Sequence, residues 1–178
     1  MNKKELREKY KKIRKDNIPS DDIFNTIISL PEYINSKSIA IYYSTPYEVD
    51  TTKLIEYSLK QNKNVYLPRV VDKHRMVFIK IYNLQEGFTK SKYGILEPVY
   101  KEEDLLKDSI DLIIVPGLVF DKQKYRIGYG GGFYDTFLST HEVYKIGVCF
   151  DNQIIDTIPR EKHDIPMDIV ATEKRLIK

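Results

Sequence analysis

The run DLIIVPG, Asp111 to Gly117, sets four branched aliphatic residues in succession with no polar position between them. A strand with one wet face alternates. A strand that does not alternate is covered on both faces, as central strands of parallel sheets are. SIAIYYS at Ser38 to Ser44, NVYLPRV at Asn64 to Val70 and KIGVCF at Lys145 to Phe150 read as further strands of this kind. RMVFIKIY, from Arg75 to Tyr82, alternates and reads as a more exposed strand, and a last short strand is expected near Asp168 to Thr172.

Between the strands the apolar spacing changes to that of helices. In NKKELREKYKKIRKDN, Leu6, Tyr10 and Ile13 recur at intervals of four and three, with Lys4, Arg7, Lys11 and Arg14 on another face. A second helix is expected from about Asp21 to Leu30, capped by Ser20 or Asp21 and stopped by Pro31. VDTTKLIEYSLKQNKN sets Val49, Leu54, Ile55 and Leu59 on or near one face, and GFYDTFLST reads as a helix start. Strand and helix in alternation predict an α/β fold, a mostly parallel sheet with helices on both faces. No linker interrupts the 178 residues, so one domain spanning 1–178 is expected. The stretch from Asn83 to Lys107 carries no clear pattern, and its YGILEP piece reads as an ordered loop beside the site.

Composition narrows the setting. The single cysteine, Cys149, excludes an intramolecular disulfide and fits a reducing compartment; its apolar neighbours predict a buried, inert thiol. No apolar run approaches the roughly 20 residues of a membrane span, and the N-terminus lacks the apolar stretch of a signal peptide. A cytoplasmic protein without a membrane partner is expected. The formal charge of +3 suits an anionic small molecule. The tyrosines are scattered and form no RNA-binding block, so no nucleic-acid partner is expected.

Half of the eight glycines fall in RIGYGGGFYD, between Gly128 and Gly132. Bare backbone N–H groups ahead of a helix attract phosphate, and glycine lets a ligand approach the backbone closely. The stretch is not a P-loop, because no Lys–Ser or Lys–Thr pair follows. Nor is it a dinucleotide fingerprint, because Phe133 stands where the third glycine belongs. Arg126 offers a phosphate a planar fork of donors, and Asp135 is placed to hold Mg²⁺, though it would also serve as an ordinary first-turn acid. A non-catalytic phosphate-sensing module and a plain glycine turn are the competing readings of the loop by itself.

Taken with their surroundings, these residues resemble the 5-formyltetrahydrofolate cyclo-ligase family. The most specific match is DLIIVPGLVFDKQKYRIGYGGGFYD; KKELR, IAIYYSTPYEVDTTKLI and EKHDIPMDIVATEKRLI are similar to the family's start, substrate segment and ending. The resemblance implies a three-layer α/β/α domain that uses ATP and Mg²⁺ to convert 5-formyltetrahydrofolate into 5,10-methenyltetrahydrofolate through a phosphorylated formyl oxygen. It implies ATP contacts at Lys3, Lys4, Glu5, Leu6 and Arg7, and at Arg126, Ile127, Gly128, Tyr129, Gly130, Gly131, Gly132, Phe133 and Tyr134. Folate contacts fall at Tyr43, Glu48 and Tyr129 to Phe133, metal positions at Asp135 and Asp164, and catalytic roles on Arg126 and Tyr134. His163, beside Asp164, is not expected to ligate a cation that prefers oxygen. Some relatives carry basic residues where this chain has Tyr129 and Gly131, which leaves Arg126 as the expected principal cation of the loop. A monomer is expected.

Overall fold

In a computed structural model of the chain, which describes residues 1–13, 19–73, 75–91 and 94–178, the aliphatic runs become one seven-stranded sheet. The strands in chain order are β1 (Ser38–Ile41), β2 (Asn64–Val70), β3 (Met76–Ile81), β4 (Phe88–Lys90), β5 (Leu96–Pro98), β6 (Leu112–Pro116), β7 (Val119–Asp121), β8 (Arg126–Ile127), β9 (Tyr144–Val148), β10 (Ile154–Ile155), β11 (Ile169–Ala171) and β12 (Leu176–Ile177). The helices are α1 (Lys3–Ile13), α2 (Asp21–Ser29), α3 (Pro31–Asn35), α4 (Thr52–Lys60) and α5 (Phe133–Leu138). The large sheet runs β12-β11-β9-β6-β1-β2-β3. Its interior pairs are parallel, and only the two edge pairs, β2 with β3 and β11 with β12, are antiparallel.

Side chains alternate across a strand, so consecutive aliphatics feed two cores. Ile39, Ile41, Leu112, Ile114, Ile146 and Val148 pack with Ile23, Ile27, Leu54 and Ile55 from α2 and α4. Ala40, Ile113, Val115 and Val170 point the other way and pack with Phe78, Phe120, Phe137 and Leu138. This is why DLIIVP shows no alternation: every position of Leu112 to Val115 is fully buried. Each such side chain contributes on the order of 1.5–3 kcal/mol through burial. A third, smaller cluster joins Leu6 and Tyr10 of α1 to Leu118, Val119, Ile127 and Ile158, beside the small sheet β10-β7-β8. Cys149 is buried as expected, and burial raises its thiol well above the ordinary value.

The structure departs from the sequence reading in four places. Pro31 does not simply end a helix: Leu30 is extended, and Pro31 becomes the first residue of α3, where its fixed φ and missing N–H do no harm. Ser20 precedes α2 without a side-chain cap bond; its hydroxyl instead accepts from the Asp50 N–H at 3.0 Å. The patternless region holds an antiparallel hairpin of β4 and β5 and a 3₁₀ turn at Glu102–Asp104. The chain ends in an additional edge strand, β12. Arg14, assigned to the basic face of the first helix, and Tyr93 of YGILEP lie outside the described residues.

Candidate functional site

From β1 the chain moves through α4 to β2 and β3 on one side; it then returns to β6, β9 and β11 on the other. The order therefore reverses between β1 and β6. At such a switch point the loops leaving the strand ends diverge and open a crevice, the usual ligand position in open α/β sheets. The loop after β1 carries Tyr43 and Glu48. The chain after β6 passes through β7 and β8 into the glycine stretch.

A cleft of about 220 Å³ lies on the β6 side of that point, lined by the glycine loop from Arg126 to Asp135 together with Pro116, Lys3, Arg7, Glu161, His163 and Asp164. Gly130 has φ +104° and Gly132 φ +68°, conformations that side chains with a Cβ adopt only with strain. The helix that follows is α5, six residues long. Phosphate attraction here accordingly rests on loop N–H groups and nearby cations more than on a helix dipole. Arg7 is one of those cations: its Nε donates to the Gly128 carbonyl at 3.0 Å, which fastens α1 to the loop.

Both expected metal carboxylates face this cleft, and each is joined to a cation. Asp164 receives the Lys3 ammonium at 2.7 and 2.9 Å and the Glu161 N–H at 2.6 Å. Asp135 pairs with Arg126 at 3.3 Å and accepts from the Ile165 N–H at 3.3 Å. Asp164 is no surface acid, its side chain being 8% exposed. Burial disfavours its charge, yet the Lys3 ammonium and the Glu161 N–H together hold it below its ordinary pKa. Glu161, His163 and Asp164 bring ligand atoms within 4.8 Å of one another. Lys3 already contacts two of the three, and His163 Nε2 lies 3.1 Å from Glu161.

Arg126 is more enclosed than its place in the glycine stretch suggests. Its side chain is 4% exposed and is held by Asp135 instead of standing free in the loop. The guanidinium carbon lies 5.5 Å from the centre of the Tyr134 ring. Arg126 Nε and the Tyr134 hydroxyl are both buried without a hydrogen-bond partner among the described residues. Orphaned donors of this kind cost free energy unless a ligand or water satisfies them. Burial raises the Tyr134 phenol far above its ordinary value, so it is a permanent donor at neutral pH.

The substrate segment meets the loop where Tyr129 donates its hydroxyl proton to Glu48 Oε1 at 2.7 Å, and Glu48 itself is not among the residues lining the cleft. Tyr43 packs against Phe88 of the hairpin, ring centres 6.1 Å apart, and does not line the cleft. Three residues of the N-terminal stretch also stand away from it. Leu6 is buried in the small core, Lys4 is exposed, and Glu5 closes a capping box with Asn2. In that box the Glu5 carboxylate accepts from the Asn2 N–H at 2.8 Å, and the Asn2 side chain accepts from the Glu5 N–H at 2.9 Å. Sequence reasoning missed Glu161. The acid of EKHDIP three residues before Asp164 was the available signal.

The 5-formyltetrahydrofolate cyclo-ligase family matches residues 2–173. The 5-formyltetrahydrofolate cyclo-ligase of Mus musculus is 35% identical over 159 residues, covering 83% of this chain and 78% of the mouse protein. That of Haemophilus influenzae is 33% identical over 146 residues, covering 79% and 78%. Among solved structures, the 5,10-methenyltetrahydrofolate synthetase of Aquifex aeolicus superposes with a TM-score of 0.82 at 34% identity, covering 99% of this chain and 92% of that one.

Proposed function

Since this chain belongs to the 5-formyltetrahydrofolate cyclo-ligase family, we propose that it closes the ring of 5-formyltetrahydrofolate with ATP, through a phosphorylated formyl oxygen. Its relatives are ligases, and this chain is an enzyme of that class, acting in the conversion of 5-formyltetrahydrofolate to 5,10-methenyltetrahydrofolate. In the chemistry proposed here the formyl oxygen takes the γ-phosphoryl group and ADP departs. N10 then attacks the activated carbon and loses its proton, and phosphate leaves with the former formyl oxygen. An amide-like oxygen is a poor leaving group, and phosphorylation makes it a good one. Positioning and charge neutralisation are then the protein's main tasks.

The residues fit those tasks. The observation that carries the reading is the meeting of the β1 loop and the glycine loop at the switch point, closed by the Tyr129–Glu48 bond. Glu48 offers carboxylate acceptors to the paired N3–H and 2-amino donors of a pterin. Arg7 and Lys3 bring positive charge from α1 to the cleft wall. Arg126 Nε and the Tyr134 hydroxyl, without partners among the described residues, present two donors to an anionic group. Among the described residues the Tyr134 hydroxyl bonds no acid that could take its proton, so it acts as a hydrogen-bond donor to the oxygen where charge develops.

The donor set also fits Mg²⁺, which favours hard oxygen ligands. Asp164, with Glu161 beside it, and Asp135, which lines the same cleft, would hold it, and it would neutralise phosphate charge when bound. Both aspartate carboxylates are paired with Lys3 and Arg126, and these two cations would turn toward phosphate oxygens for the carboxylates to hold the ion.

The test is direct. Purified protein with 5-formyltetrahydrofolate and MgATP is expected to develop the near-ultraviolet absorbance of the methenyl product, with one ADP released per product. Product formed without ADP release would remove the phosphorylated intermediate from the reading.

A further inference from the structure

Asp121, at the end of β7, is a charged residue with no exposed surface. Its two oxygens serve different parts of the chain. Oδ1 accepts the Gln123 and Tyr125 N–H groups, both at 3.0 Å, and so shapes the turn that feeds β8 and the glycine loop. Oδ2 accepts the Ile158 N–H at 3.2 Å and Arg160 Nη2 at 3.0 Å, from the segment that goes on to Glu161 and Asp164. These donors fill the lone pairs of a carboxylate that burial would otherwise penalise. Arg160 also donates to the Gln123 side chain at 2.7 Å, and its guanidinium carbon lies 4.1 Å from the centre of the Tyr125 ring. The far end of the segment returns to the same turn, where the Met167 N–H donates to the Lys124 carbonyl at 2.9 Å. Ile158 to Met167 is therefore tied at both ends to one turn. Glu161, His163 and Asp164, between the ties, line the cleft, whereas Asp121 and Arg160 do not.

We propose that Arg160, seated on Asp121, is a positioning residue. It fixes the acidic wall of the cleft at a set distance from the glycine loop, so that the affinity for nucleotide-bound Mg²⁺ is governed partly from outside the cleft. This rests on the reading of Asp164 and Glu161 as residues that hold Mg²⁺. Without the guanidinium, the segment keeps its Ile158 and Met167 ties but gains freedom next to Glu161. That freedom must be lost again when the ion binds.

The Arg160 side chain is 36% exposed, so it can be shortened without emptying the core. Two quantities would be measured on the wild type, Arg160→Gln, Arg160→Lys and Asp164→Asn. One is amide exchange across residues 158–167 in the metal-free protein. The other is calorimetric binding of a non-hydrolysable ATP analogue with and without Mg²⁺. Arg160→Gln is expected to speed exchange from Glu161 to Asp164. It should weaken the Mg²⁺-dependent part of analogue binding about three- to tenfold, less than the roughly 10- to 100-fold typical when a group bonded directly to a metal ligand is lost. Binding of 5-formyltetrahydrofolate alone is expected to be unchanged. Lysine keeps the charge but not the planar fork that spans Asp121 and Gln123, so Arg160→Lys should recover both quantities in part. Unchanged exchange in Arg160→Gln would show that the arginine does not hold the segment, and would overturn the proposal. Mg²⁺-dependent binding restored by lysine while exchange stays fast would assign the effect to charge, and would overturn the positioning role. Unchanged Mg²⁺-dependent binding in Arg160→Gln, alongside a clear loss in Asp164→Asn, would do the same while leaving Asp164 as a metal residue. Wild-type Mg²⁺-dependent binding in Asp164→Asn would remove the reading of Asp164 itself, and the positioning role with it.

Discussion

The Lys3 ammonium lies 2.7 and 2.9 Å from the two carboxylate oxygens of Asp164, joining residues 161 positions apart in the chain across one cleft. Both side chains are largely shielded, at 16% and 8% exposure, so water screens the pair only partly. The contact ties the first turn of α1 to the loop before Ile165, and it adds to the Arg7 bond to Gly128 and the burial of Leu6 and Tyr10. Asp164→Asn keeps the shape and removes the charge. It is expected to cost about 1–2 kcal/mol and to speed amide exchange in the first turn of α1 while the sheet core stays protected. Exchange in α1 identical to the wild type would mean that the pair does not hold the helix.

Arg126 couples stability to ligand use, because it is buried and paired. Arg126→Ala leaves Asp135 without its cation, and breaking a shielded pair from one side costs about 3 kcal/mol or more. Both a lowered melting temperature and a loss of ATP use, tenfold or greater, are expected. Arg126→Lys keeps the charge but not the Nε donor, so it should recover most of the stability and only part of the kcat/KM for ATP. Full recovery of both by lysine would show that only the charge matters and that the orphaned Nε donor has no ligand.

The central strands, α4 and the glycine loop were legible because their signals are local. Aliphatic runs mark doubly buried strands, and a glycine cluster marks a backbone with unusual φ. The β4–β5 hairpin was not legible. Its strands are three residues long and mostly half-exposed, and its supports come from elsewhere: Arg69 donates to the Pro98 carbonyl at 2.8 Å, and Phe88 meets Tyr43. The same holds for the site. The sequence named Asp164 and Lys3 separately, but only the fold makes them partners. The burial of Arg126 follows from its place in β8 under Asp135, which its neighbours in sequence do not reveal.

Asp111 makes a pH-dependent contribution to the sheet. Its Oδ2 accepts the Lys37 N–H at 2.7 Å, the Ser38 N–H at 2.9 Å and the Ser38 hydroxyl at 3.0 Å, which fixes the start of β1 beside the start of β6. Desolvation by its neighbours raises this exposed carboxyl, but the Ser38 and Lys37 donors outweigh it and hold the pKa below the ordinary range. A depressed folded pKa gives stability that is complete above the unfolded value, about 3.9, and is lost as pH falls through the folded value. The melting temperature of Asp111→Asn should therefore lie below the wild type at pH 7, and the gap should close as pH falls below about 4. A gap independent of pH would assign the effect to geometry in place of charge.

The glycines of the loop separate by the reason each is glycine. Gly132, at φ +68°, lies in the left-handed region with nothing within 4 Å of an added Cβ. Gly132→Ala is expected to cost about 1–2 kcal/mol from backbone strain alone, and Gly132→Asn should recover much of it, because asparagine tolerates that region. Gly131 has no such strain, but a Cβ there would come within 2.6 Å of the Phe133 ring. Gly131→Ala must displace a side chain that lines the cleft, so its effect is expected on substrate use more than on melting. Gly130, at φ +104°, lies beyond the ordinary left-handed region, and its added Cβ would sit 3.5 Å from the Arg7 guanidinium. Alanine there meets Arg7 only at ordinary van der Waals distance but strains the backbone, and because +104° lies outside the region asparagine tolerates, asparagine should not rescue it. A kcat/KM for ATP reduced more than about tenfold per folded molecule is expected, the scale of losing one charge-assisted contact. Melting curves and steady-state rates on the same samples decide the matter. Normal activity per folded molecule in Gly130→Ala, whatever the fall in melting temperature, would make the loop a turn and not a phosphate cradle.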